Sequence, residues 1–184
     1  NVGAADFLTS SSNYLFFYGG IDSDDVVKRI REPSGIIASV QQRLAVEGAC
    51  MFVAEDFSKA IEDRILFPHV ESSFVPEDDN GYAIAEVQAK VIDNLKHLHE
   101  HLLGESLEDG DDELEASYDL FIEVMRSGKG LVEEGLEPAQ LPVLCQKTND
   151  YWTGEPLPAE RHVITDENYM IRSWMSVVTY LMLD

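Results

Sequence analysis

Between Asn94 and Glu105 the chain reads NLKHLHEHLLGE, with histidine at 97, 99 and 101. On a helix His97 and His101, four residues apart, share one face, and Asp93 stands one turn earlier. Two imidazoles and a carboxylate in that order suit a transition metal ion such as zinc, copper or nickel, or a haem-ligand role. The carboxylate would orient a ring or raise its basicity. The set needs a further donor from a distant stretch, and the remaining imidazoles are His69 and His162. His99 points away from the pair.

The spacing does not match known metal helices. HExxH would need histidine where Leu103 stands, and no Glu precedes a histidine by three as in helical di-iron proteins. The competing arrangement puts Lys96, His97, Glu100 and His101 on a wet face opposite the leucines, with Asp93 and His97 an ordinary i,i+4 contact. We carry that arrangement forward, and it leaves the imidazoles on the solvent side.

Other chemistry is sparse. The chain has no GxSxG, no GxGxxG and no phosphate-binding glycine loop. Two stretches invite comparison with a calcium loop, around Gly81 and around Gly110, but Val87 and Ala116 fall where the twelfth-position carboxylate is required. Both fit turns that lead into helices. YWTGEPLP from Tyr151 is the most distinctive surface string. Tyr151 and Trp152 either stack on a sugar or peptide, or pin a long loop to the core.

Cys50 and Cys145 are the only cysteines and form no CxxC. One intramolecular bridge is possible, closing a loop of roughly 95 residues and stabilising by about 4 kcal/mol on the chain-entropy model. A buried thiol at Cys50 fits its apolar surroundings equally well.

The elements that position these residues follow from periodicity. Ile36, Ile37, Val40, Leu44, Gly48, Met51 and Phe52 mark a helix from Ser34 to Phe57, expected at the centre of the fold. Ser58 is placed to cap a second short stripe of Ile61, Ile65 and Leu66, stopped by Pro68. A helix is expected from about Ala83 to Leu103, ending at Gly104, and another from Asp112, which Gly128, Gly130 and Gly135 interrupt. Residues 136–165 hold four of the seven prolines and read as a long irregular loop. Asp166 caps a last helix with Trp174, Val178 and Leu181 on its apolar face. Near the start, residues 1–20 hold an aromatic segment, and a short helix is expected at Val26, Val27 and Ile30. The ends read as cuts inside a longer polypeptide, with no initiator Met at Asn1 and no C-cap after Asp184.

These readings give an all-α fold of 184 residues in a single helical domain, an irregular bundle of five or six helices around a central helix. Asp and Glu number 35 against 13 Lys and Arg, a net charge of -22, which excludes a phosphate-backbone partner and disfavours an anionic membrane surface. No apolar run is long enough to span a bilayer. The function expected is a soluble, non-catalytic binding or assembly module that contacts a protein partner or sits as a subunit in a larger assembly. The apolar C-terminal helix or the Tyr151/Trp152 loop would make the contact. No cofactor is needed on this reading; the alternative is a metal-binding protein using Asp93, His97 and His101. A periplasmic or secreted setting follows if Cys50 and Cys145 are bridged, and a cytoplasmic one otherwise.

Overall fold

The computed structural model describes residues 35–78 and 80–183. The aromatic segment of residues 1–20 and the short helix around Val26 lie outside them. The described residues form four α-helices: α1 (Gly35–Phe57), α2 (Ala85–Leu103), α3 (Asp112–Glu133) and α4 (Met170–Leu181). Three 3-10 turns, Ile61–Asp63, Val143–Cys145 and Ala159–Arg161, complete the regular structure, and the described residues contain no β-strand beyond isolated bridges. The all-α class stands, and the described residues hold four helices where the sequence reading puts five or six in the whole chain.

The hub is α4, not the Ser34 to Phe57 helix. α4 packs against α1, α2 and α3, because its apolar residues recur on enough of its circumference to meet three neighbours. Trp174 sits at the meeting point, fully buried, with its ring 4.5 Å from Phe121 of α3 and 5.3 Å from Phe67 in the α1–α2 connection. Phe67 stacks in turn on Phe57 at 4.5 Å. These four rings fill the volume between layers.

The stripe expected after Ser58 does not form a helix. The buried carboxylate of Asp56 accepts the backbone N–H groups of Ile65, Leu66 and Phe67 at 3.0, 2.8 and 2.9 Å, so that stretch turns back onto α1. Ser58 faces the other way and donates to the Glu55 carbonyl at 2.7 Å. α3 departs from expectation in the opposite sense and runs straight through Gly128 and Gly130. A Cβ at Gly128 would lie 2.1 Å from the Tyr169 ring, so this glycine makes room for a neighbour and does not end the helix. Tyr169 needs that notch because it holds the left-handed backbone at φ 60 just before α4. Its hydroxyl donates to Glu137 at 3.0 Å, and the Arg172 guanidinium lies 4.7 Å over its ring.

Two helix ends match the sequence reading. Gly104 closes α2 in the left-handed conformation, with its own N–H on the Glu100 carbonyl and the Glu105 N–H on that of His99. Asp166 caps α4 by accepting the N–H groups of Ile171 and Arg172 at 3.0 and 2.9 Å. Burial pushes its carboxyl above the usual range, against the lowering effect of those same donors.

The proline-rich connection is irregular but folds back on itself. Bridges pair Gln140 with Thr165, Lys147 with Val163 and Asn149 with Pro156. A disulfide joins Cys50 to Cys145, with Cα atoms 4.9 Å apart, and fastens this connection to α1. Replacing both cysteines by alanine is expected to lower the unfolding free energy by about 2–5 kcal/mol in urea titrations. A midpoint that reductant leaves unchanged contradicts this assignment.

Candidate functional site

His97 and His101 lie on one face of α2 with near-parallel rings 5.6 Å apart, and His69 presents its ring edge-on to His97 at 5.7 Å. The three imidazoles form a row. They do not converge on one centre, and one nitrogen of His97 is committed elsewhere: its Nε2 donates to the Ile65 carbonyl at 2.7 Å. A carbonyl only accepts, so Nε2 carries the proton and only Nδ1 keeps a lone pair. Asp93 faces a different direction, lining a cleft between α2 and α3. Among the described residues no group of three or more His, Cys, Asp or Glu side chains is placed to hold a metal ion.

What His97 does in this arrangement is hold a loop. Asn94, one turn earlier and fully buried, donates to the Leu66 carbonyl at 3.1 Å and accepts from the His69 N–H at 3.3 Å. With Asp56 on the other side, every backbone N–H from Ile65 to His69 and the carbonyls of Ile65 and Leu66 are hydrogen-bonded.

His99 is not on the solvent side. It is 0% exposed, with Nδ1 3.0 Å from a Glu105 carboxylate oxygen and Nε2 2.9 Å from the Ser117 hydroxyl of α3. The carboxylate only accepts, so Nδ1–H donates to it and Nε2 accepts the Ser117 proton. A serine, histidine and carboxylate linked in that order and at those distances are the pieces of a nucleophilic triad. Two features keep this one from acting. Ser117 and His99 are both sealed from solvent, and the neighbouring cleft is lined by neither. Ser117 also lies inside α3, where its own N–H belongs to the helix ladder and cannot stabilise an oxyanion. The arrangement therefore acts as a clasp joining α2, α3 and the turn between them. Its sequence signal was present but faint: on a helix His99 lies about 40° round from Leu95, at the edge of the Val91, Leu95 and Leu98 stripe.

Tyr151 and Trp152 occupy the tip of a turn whose shape is fixed. One oxygen of Asp150 accepts from the N–H of Trp152 at 3.0 Å, the N–H of Thr153 at 2.8 Å and the Thr153 hydroxyl at 2.9 Å. Gly154, at φ 71, reverses the chain, and Asn149 donates to its carbonyl at 3.1 Å. Tyr151 is half-buried under Lys147, whose ammonium lies 5.2 Å from the ring. Trp152 is 87% exposed and stands edge-on to Tyr151 at 4.8 Å. Trp152 therefore does not pin the loop to the core; Asp150 orders the turn instead.

Two measurements check these assignments. Ser117→Ala orphans the buried Nε2 of His99 and is expected to cost about 1–3 kcal/mol, while the wild type takes up no fluorophosphonate label. Labelling at Ser117 would falsify the sealed clasp. For Asp150, donation from the Thr153 N–H and then from its hydroxyl holds the carboxyl below the usual range. A depressed acid stabilises the fold above its unfolded pKa, and that contribution goes as pH falls through the folded value. Amide protection at Trp152 and Thr153 should thus persist through the ordinary carboxylate range and vanish only in stronger acid; loss at the ordinary range contradicts it. No family model matches the chain, and comparisons with characterised proteins and with solved structures find no significant match.

Proposed function

We propose that the chain is a non-catalytic binding module whose Tyr151/Trp152 turn engages a protein partner. The observation that carries this is a tryptophan 87% exposed on a turn locked by Asp150. An indole left in water forgoes roughly 2–3 kcal/mol of burial, and a rigid turn has already lost the entropy that binding would otherwise cost. Tryptophan in such a position is the residue type that dominates binding energy at protein interfaces. The sealed Ser117 supports the non-catalytic part of the reading. The disulfide supports an oxidising, extracytoplasmic setting, periplasmic or secreted.

A second reading, a transition metal or haem-ligand site using His97 and His101 with Asp93, is favoured by the row of rings that includes His69. It uses the Nδ1 lone pair of His97, whose Nε2–H stays on the Ile65 carbonyl. Elemental analysis of tag-free protein separates the two. Stoichiometric metal that disappears in a His97→Ala, His101→Ala double variant replaces the first reading with the second.

The binding reading predicts that a photo-crosslinking aromatic at position 152 captures one discrete species in the native setting, and that the same group at exposed Glu123 on α3 does not. Equal, diffuse capture from both positions removes Trp152 as the contact.

A further inference from the structure

A second surface lies away from the Tyr151/Trp152 turn. Between α2 and α3 lies an open cleft of about 540 Å³ that shares no residue with the Tyr151/Trp152 turn. Its floor is apolar, formed by Ile92, Leu114 and the ring of Tyr118. Asp93 stands on the α2 wall, with Glu115 and Asp119 on the α3 wall. No Lys, Arg or His lines the cleft. At its edge Lys96 is bound to Asp109, another lining carboxylate, at 2.7 Å; that bond raises the ammonium pKa most, against desolvation, with the charges of Asp109, Glu108 and Asp93 adding to it.

The arrangement of these carboxylates specifies the occupant. Glu115 and Asp119 are an i,i+4 like-charge pair, which destabilises an isolated helix, and neither is in an ion pair among the described residues. Their repulsion is relieved when a cation arrives. With Asp93 opposite, carboxylates flank the apolar floor on both sides, so a lone cation answers only one wall. A segment carrying an apolar side chain with basic residues on either side answers both. The volume lies within the range of pockets that bury a ligand, and the net charge of -22 draws cationic chains toward it from a distance.

We propose that this cleft seats a basic amphipathic segment of a partner protein, one apolar side chain resting on Ile92, Leu114 and Tyr118 while lysine or arginine meets Asp93, Glu115 and Asp119. The proposal rests on the protein-binding reading but uses a different surface, so the two fail separately.

The test is calorimetric titration of the purified protein with a short peptide of leucine and lysine at helical spacing. Its controls are a scrambled isomer of the same composition and an analogue with glutamate for lysine. The patterned peptide is expected to bind about tenfold more tightly than the scrambled one, and the glutamate analogue not at all. Ala89→Phe, which fills the cleft, should weaken binding about tenfold. Joint replacement Asp93→Asn, Glu115→Gln and Asp119→Asn should do the same and flatten the salt dependence; these exposed side chains leave the fold intact even if Ala89→Phe does not. Trp152→Ala should leave the affinity unchanged. Equal binding of the scrambled peptide reduces the effect to bulk charge and overturns the proposal, as does an affinity within about twofold of wild type in the triple variant.

Discussion

The bond between Cys50 and Cys145 decides where residues 134–169 lie, and much of the molecule follows from that. This connection has too little regular structure to hold itself in place, yet it contributes Leu141 and Val163 to the core and delivers the chain to α4. The bridge anchors its middle to α1, and two polar contacts extend the attachment: Lys147 pairs with Glu55, and Arg161 donates to the Ser58 carbonyl at 2.7 Å. A loop closed across a separation of 95 residues removes a large share of the unfolded chain's freedom, about 4 kcal/mol on the entropy model. The exposure of Trp152 depends on this too. A turn stands rigidly away from a surface only if its two feet are fixed, and here the feet are the paired segments around Lys147 and Val163.

Elsewhere the same task falls to single buried polar side chains. Asp56 and Asn94 hold the Ile65 to His69 backbone from opposite helices, and His99 clasps α2 to α3. The net contribution of each hydrogen bond is modest, about 0.5–1.5 kcal/mol, whereas leaving one partner buried and orphaned costs about 1–3 kcal/mol. That asymmetry means these groups select one arrangement of the loops more than they add to overall stability. Arg172 does similar work at the entrance to α4, donating to the carbonyls of Pro138 and Gln140 at 2.9 Å each.

What could be read in advance divides along the line between local and distant causes. The Val91, Leu95 and Leu98 stripe, the Gly104 stop and the Asp166 cap depend on neighbours within a turn or two, and the sequence displays them. Gly128 looked like a breaker because nothing nearby shows that Tyr169, 41 positions on, needs the space. Ser58 and the isoleucines after it looked helical because the competing acceptor, Asp56, wins by taking three N–H groups at once. The centrality of α4 was hidden because periodicity reports how apolar a face is and not how many helices it meets. For the candidate sites, the histidine spacing was legible, but which nitrogen stays free depended on Ile65, a residue 32 positions earlier. The exposure of Trp152 depended likewise on Asp150 ordering the turn without help from the indole.

The acid surplus acquires a direction once the bases are located. Among the described residues nine of the ten Lys and Arg side chains are in ion pairs with carboxylates, and the tenth, Arg161, donates to the Ser58 carbonyl. Most of these pairs are partly exposed and add little stability. Their effect on the surface is larger, since nine of the ten basic charges are already matched and the remaining acids stay in excess. The outward field is therefore negative, which favours cationic groups and repels anionic ones. The two proposed surfaces differ on this axis: the α2–α3 cleft is lined by carboxylates, and the Trp152 turn offers an exposed indole.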